Sequence, residues 1–459
     1  MVTRNIRELS FQDAPKIVTC LPGPKSRSFL DRQLKLEGMA VSYPKAIPIS
    51  LQTGRGATVM DMDGNIFIDF FGGAGVLNVG HCNPDVVEAI KNQVEILTHS
   101  LDFPTKPRSD LIEQMLSLAP EGLRDKSKIL FGGPTGSDAV EASVKLARLN
   151  TGRHGLIAFQ GSYHGMTSGA LSLSSAKKFK ENYVPLVPEV HFVPYAYCYR
   201  CSFGLEYPDC GLRCTSFLEQ ILSDPHSGVV DPAAVIIEPV QGEGGSITPP
   251  RGYIREVRKI TEKYSTLLIS DEIQAGLGRT GKMWSCEHDG VTPDIMTISK
   301  GIGGGLPLSA IQYKSELDTW RPGIHIGTFR GHVLAMAAGT AALKFATENR
   351  LAEHAATVGS RMLKRLVEAE EERRYIGEAR GLGLMIGIEF VKDKSTKKPW
   401  PEIASDIRTE CYKRGLIVEI GGHYNNVIRF LPPLVVTEEL ADRGLDIFMD
   451  AVQYLEKRS

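Results

Sequence analysis

The chain has 459 residues, a formal net charge of -1, 42% hydrophobic residues and 23% charged residues. This composition is ordinary for a globular protein, and the balanced charge argues against nucleic acid or a membrane surface as a partner. No run of about 18 uncharged apolar residues predicts a membrane span, and the N-terminus lacks an apolar signal region. We therefore expect a cytoplasmic protein.

Residues 1–80 are predicted to form an N-terminal arm and one segment of a small domain, with a short helix around Phe29–Leu36. Two short alternating apolar runs, Ala57–Met60 and Ile66–Phe70, follow. The segment between them, Asp61–Asn65, contains Asp-Gly and Gly-Asn steps. Such steps between apolar runs predict a β-hairpin with a tight turn.

Residues 81–335 are predicted to form a large domain. Residues 84–120 have helical periodicity, and from about residue 128 short apolar runs alternate with amphipathic stretches. This alternation predicts an α/β fold with a mostly parallel sheet, whose strand ends gather ligands. The predicted strands are Lys128–Phe131, Gly155–Phe159, Ala234–Ile237, Thr266–Ile269 and Ile295–Ile298.

Residues 336–459 are predicted to form a smaller α+β domain. Its pattern begins with two long helical stretches and ends with a helix from Glu438. The predicted elements are helices at Val333–Thr347, Leu351–Glu371 and Ile403–Arg414, and strands at Leu384–Phe390, Leu416–Glu419 and Val427–Phe430.

Two motifs at predicted strand ends suit a flat, phosphorylated ligand. Gly132–Ala139 follows a strand and opens a helix, where free backbone N–H groups and the Ser137 hydroxyl can bind phosphate. A simple helix-capping turn is the alternative. Gly161–Gly165 follows the next strand, and its Tyr163 either stacks on a heterocycle or is a core tyrosine.

Acidic residues follow the next two strands. Glu238 and Glu243 lie in a glycine-rich turn, which is either part of a site or a solvated loop. Asp271 ends a buried apolar run, so its carboxylate needs a cationic or hydrogen-bonding partner. A protonated pyridine nitrogen and Arg279 are the two candidates.

Lys300 lies between Ser299 and Gly301 after the last predicted strand. Most lysines are merely solvated. Here, however, a phosphate cradle, an aromatic residue, an acid and a lysine occur on successive strand ends. A Schiff-base lysine with an acidic partner for a ring nitrogen is the protein side of a pyridoxal 5'-phosphate (PLP) site.

These motifs resemble those of class III (omega) aminotransferases of PLP fold type I. The resemblance extends from Gly54 to Pro433, and its most specific blocks are Asp271–Gly281 and Ser299–Gly301. It implies a large domain with a mostly parallel central sheet flanked by helices, and a smaller α+β domain built from the N- and C-terminal segments. It also implies a ping-pong transaminase that uses an amino donor and a 2-oxo acid acceptor.

The resemblance implies roles for the residues around the cofactor ring. Lys300 would form the Schiff base and shuttle the proton, with a pKa that we expect its cationic surroundings to lower. Asp271 would pair with the ring nitrogen, Gln274 would contact the ring hydroxyl, and Tyr163 would stack on the ring.

Further roles concern the phosphate and the substrate. Gly136 and Ser137 would bind the phosphate, and Thr328 would reach the phosphate of the neighbouring subunit in an obligatory homodimer. Arg429 would bind the α-carboxylate of one substrate, and Glu243 would mask that arginine for the other. A permanent ion pair between these two residues is the alternative.

One residue bears on the donor. Met166 stands where 4-aminobutyrate and ornithine aminotransferases commonly have an arginine that binds substrate carboxylate, which argues against simple 4-aminobutyrate recognition. His332 stands where an asparagine is expected, and mildly loosens the likeness to 2,4-diaminobutyrate aminotransferases. The stretches that favour this likeness are Gly133–Ala142, Tyr163–Thr167, Tyr197–Gly204 and Thr328–Gly331.

We therefore predict transfer from an ω-amino or diamino acid, with 2,4-diaminobutyrate as the best candidate, to 2-oxoglutarate or pyruvate. A 4-aminobutyrate or other ω-amine transaminase is one alternative, and a PLP-dependent racemase or epimerase is another. A regulator with a decayed site is disfavoured because every expected chemical residue is present.

The eight cysteines are interpreted as thiols, not as a disulfide framework. Four of them cluster as Cys198, Cys201, Cys210 and Cys214. Their spacing leaves open a zinc or iron–sulfur site and a surface insertion with free thiols. We assign no metal ligand.

Overall fold

The computed structural model describes residues 5–458; residues 1–4 of the predicted arm and residue 459 lie outside the described residues. Among the described residues, no helix is both long and apolar enough to cross a membrane. The helices are α1 (Pro24–Leu36), α2 (Tyr43–Ala46), α3 (Gly72–Gly75), α4 (Pro84–Val94), α5 (Lys106–Ser117), α6 (Gly136–Thr151), α7 (Ser168–Leu173), α8 (Lys177–Lys180), α9 (Arg213–Ser223), α10 (Tyr253–Lys263), α11 (Val333–Glu348), α12 (Leu351–Glu372), α13 (Pro401–Lys413) and α14 (Glu438–Glu456).

The strands form three sheets. They are β1 (Leu51–Arg55), β2 (Thr58–Asp61), β3 (Ile66–Asp69), β4 (Ser127–Phe131), β5 (Leu156–Phe159), β6 (Val190–Val193), β7 (Ala234–Ile237), β8 (Leu267–Asp271), β9 (Ile295–Ile298), β10 (Ala310–Lys314), β11 (Ile376–Leu382), β12 (Met385–Asp393), β13 (Lys398–Pro399), β14 (Leu416–Ile417), β15 (Glu419–Gly421) and β16 (Val427–Phe430).

The central sheet of the described chain has seven strands in the order β4-β10-β9-β8-β7-β5-β6. Strands β5 to β9 pair in parallel, whereas β10 runs antiparallel to both β9 and β4. All residues of β5, β7 and β9 are buried, because helices cover both faces of the sheet. The predicted α/β fold with a mostly parallel central sheet is confirmed.

The two other sheets lie in a unit that is built from the N- and C-terminal segments of the chain. β2 and β3 form the predicted antiparallel hairpin, and β14 pairs in parallel with β3. In their shared core, the Phe430 ring lies 5.1 Å from the rings of both Phe70 and Phe448. The N- and C-terminal segments therefore build one smaller α+β unit, as predicted.

The sequence patterns missed five strands. β1 is mostly exposed, β6 is only half-buried, β10 follows a glycine-rich turn, β11 carries charged residues and glycines, and β13 has only two residues. None of the five has the apolar pattern that predicts a strand. The domain limits at 80/81 and 335/336 remain a proposal, and the second limit falls within α11.

Candidate active site

The carboxyl ends of two neighbouring parallel strands position the two central groups. Asp271 is the last residue of β8, and Lys300 begins a short 3-10 turn two residues after β9. Both side chains line one cavity of about 630 Å³. This volume is typical of a small-molecule or cofactor site, and its place at the strand ends is typical of open α/β sheets.

The Lys300 amine is held in an unusual setting. Its backbone has φ +51°, a left-handed conformation that costs free energy in a residue with a side chain. Burial lowers the pKa of Lys300 to about 8, against the opposing charges of Glu243 and Asp271. The sequence predicted a lowered pKa for Lys300, and the direction agrees. The main cause, however, is burial and not the cationic surroundings, in which Arg429 makes a smaller contribution. A partly neutral amine near neutral pH can act as a nucleophile.

The Asp271 carboxylate is almost fully buried and has three donors. Its Oδ2 lies 2.6 Å from Nδ1 of His164, and its Oδ1 accepts hydrogen bonds from the Thr297 hydroxyl at 3.0 Å and the Ile273 N–H at 3.1 Å. Arg279, the alternative partner from the sequence, instead donates to the Asn78 side chain at 2.8 Å. Hydrogen bonds therefore hold Asp271 beside the cavity without an arginine.

His164 is a site residue that the sequence did not single out. Its side chain is fully buried. Burial alone would lower its pKa, but the hydrogen bond and the charge of Asp271 raise it above the ordinary value. The imidazole thus lies in hydrogen-bond contact with the Asp271 carboxylate. Its position directly after Tyr163, at the end of β5, was the available signal.

The predicted phosphate cradle lies at the start of α6. Gly136 and Ser137 are its first residues and line the cavity. The Ser137 hydroxyl also accepts a hydrogen bond from the Met166 N–H at 3.1 Å. Gly165 is required here, because a Cβ on this residue would lie 2.1 Å from the Ser137 hydroxyl. Backbone N–H groups at a helix start favour an anion.

Tyr163 and Glu238 link two loops of the cavity. The Tyr163 ring meets the Phe179 ring edge-on at 5.8 Å and lines the cavity. Glu238 accepts hydrogen bonds from the N–H groups of Tyr163 and Gly242, each at 3.0 Å. Burial, together with the charge of Asp271, raises the pKa of Glu238 to about 7, although His164 opposes the rise. The sequence marked Glu238 only as a general candidate.

Gln274 lies at the cavity wall with an unused acceptor. Its Nε2 donates to the carbonyl of Ala74 at 2.9 Å. Its Oε1 is buried and has no hydrogen-bond partner among residues 5–458. A buried acceptor without a donor is costly, so a bound hydroxyl group would satisfy it.

Glu243 and Arg429 form an ion pair at 2.6 Å in the same cavity. Burial acts to raise the pKa of Glu243, but Arg429 and Lys300 hold it below the ordinary value. The Nε and Nη1 atoms of Arg429 are buried, and neither has a partner in the described part of the chain. The guanidinium therefore retains donors for a second anion.

Two predicted residues lie at or beyond the rim. Met166 is 48% exposed and lines the cavity. Thr328 lies in an exposed turn and does not line the cavity. The structure thus brings together all the predicted site residues of one chain except Thr328.

The clustered cysteines lie between β6 and the first turns of α9, where all four line a small cavity. Cys198, Cys201, Cys210 and Cys214 are free thiols. Among residues 5–458, no group of three or more His, Cys, Asp or Glu residues is arranged to hold a metal ion. The structure therefore gives the zinc or iron–sulfur alternative no support.

Comparison with known proteins agrees with this geometry. The family model "Aminotransferase class-III" matches residues 39–452. A diaminobutyrate–2-oxoglutarate aminotransferase of Rhizobium meliloti (strain 1021) is 42% identical over 94% of this chain and 93% of its own length. An alanine/serine racemase of Pyrococcus horikoshii is 36% identical over 97% of this chain and 94% of its own length.

A solved structure points the same way. The PLP-bound form of an amine transaminase from an uncultivated Pseudomonas species has a TM-score of 0.83 and 29% identity, over 91% of this chain and 98% of that one. The chain belongs to the class III aminotransferases, which are PLP-dependent enzymes. The cradle, the Lys300 amine and the unused Gln274 acceptor fit that cofactor.

Proposed function

We propose that this class III aminotransferase moves the ω-amino group of a diamino acid, 2,4-diaminobutyrate, to 2-oxoglutarate or pyruvate. The Glu243–Arg429 ion pair, 2.6 Å long in the cavity that Lys300 also lines, carries the proposal. The chain is similar over nearly its full length to a diaminobutyrate–2-oxoglutarate aminotransferase, and this similarity supports the same donor and acceptor.

The residues around the cofactor have distinct roles. PLP, when bound, withdraws electrons from the carbon that carries the reacting amino group. Lys300 would hold the cofactor covalently through its amine and, when that amine is free, would serve as the base that moves a proton at the substrate carbon. Asp271 would hold the ring nitrogen, and His164 would keep Asp271 in place.

Other residues orient the cofactor. Tyr163 would pack against the ring, and the Gln274 Oε1, unpartnered among the described residues, would accept a hydrogen bond from the ring hydroxyl. The N–H groups of Gly136 and Ser137 and the Ser137 hydroxyl, at the start of α6, would hold the phosphate.

The ion pair explains how one cavity accepts two different substrates. The ω-end of a diamino acid brings no carboxylate towards Arg429, so Glu243 neutralises that arginine. A 2-oxo acid brings its α-carboxylate next to the reacting carbonyl. Glu243, which is one-third exposed, then swings away and Arg429 binds the carboxylate with its bidentate guanidinium.

A homodimer would complete the site. Two neighbouring surface segments expose large apolar side chains, namely Ile96 and Phe103 in one and Ile326 and Phe329 in the other, all at least 60% exposed. The two segments meet where the rings of His99 and Phe329 lie 5.4 Å apart. An apolar surface of this kind favours a second copy, which would carry Thr328 of each subunit to the phosphate of the other.

A racemase or epimerase is the second candidate, because a racemase is 36% identical over most of the chain. It would use the same Lys300 and Asp271 but would need no 2-oxo acid. Loss of optical rotation without a 2-oxo acid would favour it.

A panel of amines, each incubated with 2-oxoglutarate and with pyruvate and analysed by product mass, tests the proposal. We expect turnover of 2,4-diaminobutyrate and the matching amino acid product. Lys300→Ala should abolish both turnover and the visible absorbance of the bound cofactor, whereas the exposed Lys91→Ala should keep both. Turnover of other amines but not of 2,4-diaminobutyrate would contradict the proposed donor.

A further inference from the structure

The active-site cavity contains a carboxylate, that of Glu419, to which the proposed mechanism gives no role. Glu419 belongs to β15 and lies opposite Arg429 of β16, and its side chain lines the cavity. The residue is only 8% exposed. Its Oε2 has no hydrogen-bond partner, and it forms no ion pair, among the residues that the structure describes. A buried carboxylate oxygen without a hydrogen-bond donor destabilises the folded protein unless a ligand supplies that donor.

The neighbouring charges do not neutralise Glu419. Arg429 attracts it but forms no ion pair with it, because the guanidinium pairs with Glu243 at 2.6 Å and its two remaining donors do not reach Glu419. Arg408 also attracts it without forming an ion pair, and the carboxylate of Glu243 repels it. Burial therefore raises the pKa of Glu419 above its ordinary value, although the backbone N–H of Ile420 and the two arginines oppose the rise.

The wall of the cavity around Arg429 thus presents two carboxylates, Glu243 and Glu419, and one arginine, whereas Asp271, Glu238, Lys300 and Lys178 line other parts of the cavity. The Tyr43 hydroxyl lies in the same group, since both carboxylates add to burial in raising its pKa. When Glu243 is paired with Arg429, the charge left over on this wall is that of Glu419. A cation is the ligand group that such a wall favours, and a primary ammonium can donate three hydrogen bonds to it.

We infer that Glu419 binds the second, non-reacting ammonium group of the amino donor and so selects diamino acids over mono-amino acids. This inference rests on the proposed function, in which the reacting nitrogen is the ω-amine. A donor such as 4-aminobutyrate has the same chain length and carboxylate but lacks the second ammonium. It would leave Glu419 buried and unpaired, and a site built around a polar group rejects an analogue that lacks it.

The test compares these two donors in three forms of the PLP-loaded enzyme. The forms are the wild type, Glu419→Gln, which removes the charge but keeps the shape, and Glu371→Gln, an exposed control on α12. We expect Glu419→Gln to lower kcat/KM for 2,4-diaminobutyrate about 10- to 100-fold, mainly through KM. The value for 4-aminobutyrate should stay the same or rise, and the control should match the wild type for both donors.

A second measurement separates recognition from damage to the fold. The visible absorbance of bound PLP and the KM for 2-oxoglutarate should be unchanged in Glu419→Gln. An equal loss with both donors, or no loss with either, would overturn the inference. Failure of the wild type to use any diamino acid would instead refute the proposed function, whatever the variant does.

Discussion

The imidazole Nδ1 of His164 lies 2.6 Å from Oδ2 of Asp271, and both side chains are buried. A carboxylate only accepts hydrogen bonds, so Nδ1 carries the proton. This contact fixes the position of the carboxylate that we propose pairs with the ring nitrogen of the cofactor. His164 acts through Asp271 and is therefore a positioning residue.

Two substitutions of His164 should separate its hydrogen bond from its volume. His164→Phe keeps a ring but removes the donor, so we expect kcat and PLP affinity each to fall about 10- to 100-fold. His164→Asn keeps a donor near the same place and should retain more of both. Titration with PLP, followed by absorbance at several pH values, measures the effect. Wild-type affinity and an unchanged pH profile in His164→Phe would show that Asp271 needs no such support.

Glu272 should make stability depend on pH. It is buried and accepts hydrogen bonds from the N–H groups of Ser285 at 2.7 Å and Cys286 at 2.8 Å. Burial nevertheless raises its pKa to about 7 from the ordinary 4.5. Between these values the folded state binds more protons than the unfolded state, so the contribution of this residue to stability falls as the pH rises.

Between pH 4.5 and about 7, Glu272 alone should lower the free energy of unfolding by up to about 1.4 kcal/mol for each unit that the pH rises. Glu272→Gln lowers stability at every pH because its amide cannot accept both N–H groups. The substitution should also remove the pH dependence that Glu272 contributes. The difference in free energy of unfolding between the wild type and the variant should therefore shrink from pH 5 towards pH 7. Denaturant unfolding of both proteins across that range measures this, and a constant deficit would contradict the assigned pKa.

Arg429 should matter more for one half of the reaction than for the other. Arg429→Lys keeps the charge but loses the bidentate fork, so we expect KM for 2-oxoglutarate to rise about 10- to 100-fold. The half-reaction with the ω-amine donor should change less, because Glu243 covers this position there. Each half-reaction can be followed separately through the cofactor absorbance, with the exposed Arg374→Lys as control. Equal losses in both halves would support a permanent ion pair.

Much of the fold was predictable from the sequence because buried strands such as β7 and β9 read as continuous apolar runs. The strand ends also placed Asp271 and Lys300 together. The sequence could not show that His164, and not Arg279, contacts Asp271. Both residues follow strand ends of the same sheet, so either could lie near the carboxylate. Only packing decides that Arg279 turns to Asn78.

The sequence predicted that Glu243 pairs with Arg429 in at least one step of the reaction. It did not predict that the Glu419 carboxylate would line the cavity with an oxygen that has no hydrogen-bond partner within residues 5–458. A glutamate in a short strand gives no sign of whether it meets solvent or a cavity. Here β15 places it opposite Arg429, whose ion pair is with Glu243 and not with Glu419. Partners contributed by distant strands cannot be inferred from local pattern.

Mixed dimers should show whether Thr328 serves the partner subunit. Thr328→Ala should weaken PLP binding, and Lys300→Ala should be inactive. In a mixed dimer of these two variants, the Thr328→Ala subunit keeps its own Lys300 and would receive an intact Thr328 from its partner. One complete site then forms, so activity per dimer should reach about half that of the wild type at limiting PLP.

The matched control is a mixed dimer in which one subunit carries both substitutions and the other carries none. There the intact Lys300 would face the altered Thr328, so its activity at limiting PLP should stay low. Equal activity of the two mixed dimers would contradict a shared site. Thr328 would then act within its own chain or not at all, and the apolar surface around Phe329 would need another explanation.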